Sequence, residues 1–271
     1  MSEKELVAMI ALRPLPGTYE YNGESLKEIE RQAVEEAIQL KEAGINSIMI
    51  QNVNDLPSKR EVGHEIIAYM TNIGRAVKEA VGDQCKIGIS ILKNEGAGSV
   101  AVADAIGADY VRLKVYVGAM ISSEGITEGC IEEVLEMKKR IGSSVELWAD
   151  IYDRSGVPLG TMTLEEASQQ GISKGKLDRL IITGKTFDES IEWIKRVKSA
   201  LPTAKVLLGG SATPENIATV LEACDGVIIG SYLKKDGVMT NPLDPGRLAT
   251  FMNAYHSGTW APFPSSHLGR A

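Results

Sequence analysis

Eight short apolar runs, each followed by a longer amphipathic stretch, govern what this chain can fold into. The runs are Leu6–Leu12, Ser47–Gln51, Lys86–Leu92, Tyr110–Val115, Val145–Ile151, Arg179–Thr183, Ala204–Leu208 and Gly226–Ile229. Each has the length and β-branched content of a strand buried on both faces of a parallel sheet. Helical patterns cover Ser25–Ala43, Glu61–Val81, Gly96–Ile106, Thr127–Ile141, Leu164–Gln170, Asp188–Ala200, Pro214–Glu222 and Pro245–Tyr255. Eight strand–helix units close a (β/α)8 TIM barrel, and 271 residues suit one such α/β domain. We expect a single-domain barrel over residues 1–260 and a tail without structure over 261–271. Gly44 and Gly107 stand where the first and third helices should stop before the next strand.

At 44% hydrophobic and 24% charged, the chain has material for a large core and no mark of disorder. Its net charge of −7 is spread along the sequence and argues against a nucleic-acid surface. A local basic pocket for a small anionic substrate remains compatible with that charge. Cys85, Cys130 and Cys224 are far apart, which suggests neither a disulfide framework nor a zinc site. The apolar stretch near the amino terminus is too short to span a membrane and has no signal-peptide pattern. A cytoplasmic location is the default expectation, with no membrane insertion and a homo-oligomeric state.

In a barrel the carboxyl ends of the strands and the loops after them carry function. Alternation along the fourth run places Tyr110, Arg112 and Lys114 inward and Val111, Leu113 and Val115 towards the helices. In the fifth run Glu146, Trp148 and Asp150 point inward by the same rule. Asp150 then ends its strand beside two cations. Read structurally, this is a buried ion pair. Read functionally, Asp150 is a general acid or base, with Arg112 and Lys114 holding an anionic group or polarising a carbonyl. A Schiff base at Lys114 is disfavoured, because a neighbouring carboxylate favours its ammonium form. On the functional reading, Asp150→Asn abolishes turnover and leaves the melting temperature within a few degrees; severe unfolding is the outcome expected if Asp150 is there for the ion pair.

The second run ends in Gln51-Asn52-Val53-Asn54-Asp55, which makes Asn52 and Asp55 candidates for substrate orientation and catalysis, although such residues also dominate ordinary turns. Asn94 after the third run and Thr183 after the sixth are further candidate substrate contacts. Gly184-Lys185-Thr186 lacks the leading glycine and spacing of a P-loop and is set aside. Glycine turns follow the last two runs: Gly209-Gly210-Ser211 precedes Thr213 and Pro214, a cap and first position for a helix, and Gly230-Ser231 follows in the same style. Backbone N–H groups approach an anion closely in such turns, so Gly209, Gly210, Ser211, Gly230 and Ser231 are the candidate phosphate site. The plainer reading is that these glycines only permit tight turns. No cofactor or metal motif is read; a divalent cation held by Asp55, Asp150 and substrate oxygens is an alternative.

The chain resembles the BtpA/SgcQ family of predicted barrel proteins. The resemblance rests on Pro14-Leu15-Pro16-Gly17, Gln51 to Pro57, Gly88 to Asn94, Tyr110-Val111-Arg112, Glu124-Gly125-Ile126, Ala149-Asp150-Ile151 and Ile182-Thr183-Gly184. Its most specific part is Gly209 to Asn216, followed by Asp225 to Gly237 and Asn241-Pro242. The resemblance implies a barrel of the ribulose-phosphate-binding type. One branch is associated with stabilising photosystem I in cyanobacteria, and another is predicted to act on a sugar phosphate or nucleoside. Asn94-Glu95 stands where that family tends to carry Asn-Asp, and Arg154-Ser155 where it tends to carry Lys-His, which implies a different use of Asp150 and Asp153 or a changed substrate.

Three functions compete on these residues: acid–base chemistry on a phosphorylated sugar or nucleoside-like compound, a non-catalytic assembly factor that keeps a ligand site, and a metal-dependent hydrolase. Fold alone does not choose among them.

Overall fold

The computed structural model describes residues 4–152 and 154–257. In chain order the first half holds β1 (Glu5–Ala11), α1 (Leu26–Glu42), β2 (Ser47–Gln51), α2 (His64–Val81), β3 (Lys86–Ser90), α3 (Gly96–Ile106), β4 (Tyr110–Leu113), β5 (Ala119–Ser122), β6 (Gly125–Glu128) and α4 (Ile131–Ile141). The second half holds β7 (Glu146–Asp150), β8 (Val157–Pro158), α5 (Leu164–Ser173), β9 (Arg179–Ile182), α6 (Phe187–Ala200), β10 (Val206–Leu208), α7 (Ile217–Ala223), β11 (Gly226–Ile229) and α8 (Pro245–His256). Strands β1, β2, β3, β4, β7, β9, β10 and β11 form a closed parallel barrel, with β11 pairing back onto β1 through Val7↔Ile228. This is the TIM barrel expected from the alternating pattern.

Alternation assigns the side chains as expected. Val7, Met9, Met49, Tyr110, Trp148, Ile181, Leu207 and Ile228 fill the barrel interior. Ala8, Ile10, Ile48, Ile50, Val111 and Leu113 join the layer under the helices. Tyr110 and Trp148 stack across the interior, ring centroids 3.7 Å apart and planes within 6°. Gly88 on β3 makes this possible, since a Cβ there would stand 2.0 Å from the Tyr110 ring. The slab is tied at its edges: Tyr110 Oη lies 3.2 Å from Ser47 Oγ, and Trp148 Nε1 donates to Glu146 at 2.8 Å.

At the amino ends of the strands one device recurs. Asp109, Asp178 and Asp225 each immediately precede a strand. Each donates its N–H to a carbonyl on the neighbouring strand (Ile87, Leu147, Val206) and accepts that same residue's N–H on its carboxylate, at 2.7–2.9 Å throughout. These double bonds satisfy backbone groups at the rim that a strand end would otherwise leave open.

Helix ends follow local chemistry. Ser25 caps α1 by accepting from the Glu28 N–H, and Gly107 ends α3 in the left-handed region at φ 67°. Two expectations are corrected. The fourth helix does not begin at Thr127: Ala119–Ser122 and Gly125–Glu128 form a hairpin, joined by Val157–Pro158 into a small antiparallel sheet that leans on the barrel through Met120 and Thr127. Thr213 does not cap the seventh helix, which starts at Ile217; residues 214–216 are a turn, with Asn216 Oδ1 accepting from the Thr213 N–H.

Candidate functional site

At the carboxyl end of the barrel, Arg112 on β4 reaches up one pleat to Asp150, the last residue of β7. Its Nε and Nη2 each donate to an Asp150 oxygen at 2.9 Å, and Lys114 Nζ lies 3.4 Å from Oδ1. The side chains of Arg112 and Asp150 are 7% and 1% exposed. A bidentate, charge-assisted pair of this kind fixes both planes. The carboxylate is therefore held still, facing a cavity of about 350 Å³.

Arg112, Lys114, Asp150, Thr183, Gly209, Gly210, Ser211, Gly230 and Ser231 all line that cavity. Gly209 contributes space rather than a donor: its N–H is spent on the Ile182 carbonyl at 3.0 Å, and a Cβ on it would stand 2.0 Å from Thr183 Oγ1. Gly210 takes φ 145°, which L side chains rarely adopt, and Ser211 takes φ 65°. Among the described residues, the N–H groups of Gly210, Ser211, Gly230 and Ser231 have no acceptor. Consecutive unpaired amides at such a turn form a concavity suited to an anion.

The structure does not bring Asn52, Asp55 and Asn94 to this cavity. Asp55 accepts from the Leu15 N–H at 2.8 Å and from Asn52 Nδ2 at 2.9 Å, while Asn52 Oδ1 accepts from the Leu92 N–H at 2.7 Å. Asn94 exchanges two hydrogen bonds with the backbone of Val115 and donates to the Glu128 carbonyl. These three are brackets between neighbouring loops. Burial pushes the Asp55 carboxyl up, and the hydrogen bonds from Leu15, Asn52 and Thr18 pull it partly back. Asp55 opens instead on a second cavity of about 310 Å³ beside Thr18, Tyr19 and Val62. Among the described residues no group of three or more His, Cys, Asp or Glu side chains is placed to hold a metal ion. Cys85, Cys130 and Cys224 are free, buried and separate. Asp153 and the tail at 261–271 lie outside the described residues.

Two cations on the cavity wall were not singled out from the sequence as ligand contacts. Arg154 follows β7, and Arg247 sits in the first turn of α8. Lone arginines in a loop and at a helix start carry no spacing signal, and only the closed barrel brings them to this mouth. Among the described residues no helix is long and apolar enough to cross a membrane.

Similarity to known proteins extends over nearly the whole chain. A protein of Methanocaldococcus jannaschii is 33% identical, over 93% of this chain and 95% of that one. The photosystem I biogenesis protein BtpA of Synechocystis is 30% identical over 93% of this chain and 88% of its own. A solved structure described as native KDPGal superposes with a TM-score of 0.58 at 20% identity, covering 95% of this chain and 97% of that one, a likeness of fold alone. The family model described as the BtpA family matches residues 2–257.

Proposed function

The chain belongs to the BtpA family, and from that premise we propose that it is an enzyme acting by acid–base chemistry on a phosphorylated sugar or nucleoside-like small molecule. One observation carries the reading: a fixed carboxylate–cation group and unpaired turn amides line the same cavity. In this reading the substrate's phosphate occupies the Gly210–Ser211 and Gly230–Ser231 turns. The reacting carbons then lie towards Asp150, which moves a proton as general acid or base. Lys114 polarises a carbonyl or steadies developing negative charge, and Arg112 keeps the carboxylate aimed. Because charge develops only as bonds change, these groups bind the transition state better than the ground state.

Thermal-shift screening of the full chain against sugar phosphates, nucleosides and inorganic phosphate tests the reading. A ligand at about 100 times its dissociation constant adds about 2.7 kcal/mol, which raises the melting temperature of a chain this size by roughly 5–11 °C. Failure of every phosphorylated compound to stabilise the protein would sink the proposal.

A second reading, an assembly factor that binds ligand without turning it over, is favoured by a row of apolar side chains on the small sheet. Ile126, Ile121 and Val157 are cross-strand neighbours, 62%, 45% and 62% exposed. Product analysis after incubation with each stabilising ligand separates the two readings, since the second expects every ligand to be recovered unchanged.

A further inference from the structure

Among the described residues, three polar groups on the cavity wall keep hydrogen-bonding capacity that the protein does not use. Arg247 donates Nε to the Tyr232 carbonyl at 2.6 Å, and its guanidinium carbon lies 4.5 Å from the centre of the Tyr232 ring. These contacts fix the guanidinium beside the turn at Gly230, and no carboxylate among the described residues pairs with it. Arg154 reaches the other turn, with Nη1 3.4 Å from Ser211 Oγ, also without an acidic partner among the described residues. Thr183 Oγ1 lies between β9 and the turn at Gly209, in a residue only 3% exposed, and has no hydrogen-bond partner among the described residues. A buried hydroxyl is costly to leave unpaired, so such a group is completed by what binds.

The wall also lacks something. Tyr232 is the one aromatic residue lining the cavity among the described residues, and Arg247 covers one face of its ring while Phe251 lies tilted 5.9 Å from its centroid. Unstacked nucleobases are commonly held by stacking on an exposed aromatic or guanidinium face, with hydrogen bonds to their edges. Here the Tyr232 ring is already engaged, and the two arginines stand at the turns that suit an anion.

We propose that the ligand is the phosphate monoester of a small polyhydroxylated carbon chain that carries no base: Arg247 and Arg154 grip the phosphate from the two turns, and Thr183 hydrogen-bonds the nearest oxygen of the chain. The proposal rests on the acid–base reading above and narrows its two substrate classes to one. Two guanidinium groups with vacant donors supply the geometry that phosphate oxygens match.

Calorimetric titration of the full chain with inorganic phosphate, a set of tetrose, pentose and hexose phosphates, and adenosine tests it. Phosphate and at least one sugar phosphate bind, the latter more tightly, and adenosine does not. Arg247→Met weakens phosphate binding about tenfold, the loss expected of a charge-assisted hydrogen bond. Arg154→Met, which removes an exposed side chain whose hydrogen bond among the described residues is to Ser211, weakens it as well and keeps the test available if Arg247→Met does not fold. Thr183→Val keeps or raises the melting temperature of the free protein, leaves its phosphate affinity unchanged, and weakens the best sugar phosphate about three- to tenfold. Adenosine binding as tightly as the sugar phosphates overturns the inference. So does unchanged phosphate affinity in both arginine variants, or a Thr183→Val variant that loses melting temperature instead of ligand. If neither phosphate nor any sugar phosphate binds the wild type, the underlying acid–base reading falls with it, an outcome distinct from the others.

Discussion

Asp150 takes two hydrogen bonds from Arg112 with both side chains buried, so substitution there acts on stability and chemistry at once. Removing one partner of a buried pair costs about 3–5 kcal/mol, and each kcal/mol moves the melting temperature of a chain this size by about 2–4 °C. Asp150→Asn therefore lowers the melting temperature by roughly 10 °C besides abolishing turnover, a larger loss than alternation alone led us to expect, because alternation gave facing and not the bidentate geometry. Lys114→Met is the cleaner probe of chemistry. Lys114 touches Asp150 at 3.4 Å and leaves the Arg112 pair intact, so the variant should keep its melting temperature within a few degrees and lose turnover. Calorimetry alongside an activity assay checks both, and a fully active Lys114→Met protein removes that residue from the mechanism. Alternation made Arg112 and Asp150 legible as inward groups on adjacent barrel strands. Arg154 and Arg247 were not legible, because the reach of a long side chain from a loop depends on where the closed barrel puts its neighbours.

The strand–helix units themselves were legible because the strands are buried on both faces and most read as near-unbroken apolar runs, as Ser47–Gln51 and Gly226–Ile229 do in both sequence and structure. The small sheet was not. Ile121 and Ile126 flank Ser122-Ser123-Glu124-Gly125, a turn signature that precedes the next amphipathic stretch so closely that Thr127 passes for a helix start. The aspartates before β4, β9 and β11 show how the residue ahead of a strand ties it to its neighbour. Burial alone would push the Asp225 carboxyl up, but hydrogen bonds from Lys198 and the Val206 N–H outweigh it and hold it below the usual aspartate range. Its folded value is then the lower one, so the stabilisation is complete above the unfolded value of about 3.9 and disappears as pH falls through the depressed folded value. Asp225→Asn should accordingly melt below the wild type at neutral pH, and the gap should close as the pH is lowered past the aspartate range. Parallel melting curves at all pH values would show that the carboxylate charge plays no part.

Across the whole molecule, the Tyr110–Trp148 slab separates the carboxyl-end cavity from the charged amino end of the barrel, where Glu5 pairs with Lys86 and Arg179. Gly88→Ala drives a methyl group into that slab, and overpacking of this kind costs about 1–3 kcal/mol. The expected result is a lower melting temperature together with loss of the near-ultraviolet dichroism of the stacked rings. Retention of that signal would mean that the slab tolerates the methyl by a small shift. A barrel plugged in this way offers the carboxyl-end cavity no passage along its axis, so among the described residues exchange with solvent runs over the rim that carries Gly210 and Gly230. On the acid–base reading, product crosses the same rim as substrate and both lean on the same turns, so added product should compete with substrate in a steady-state assay.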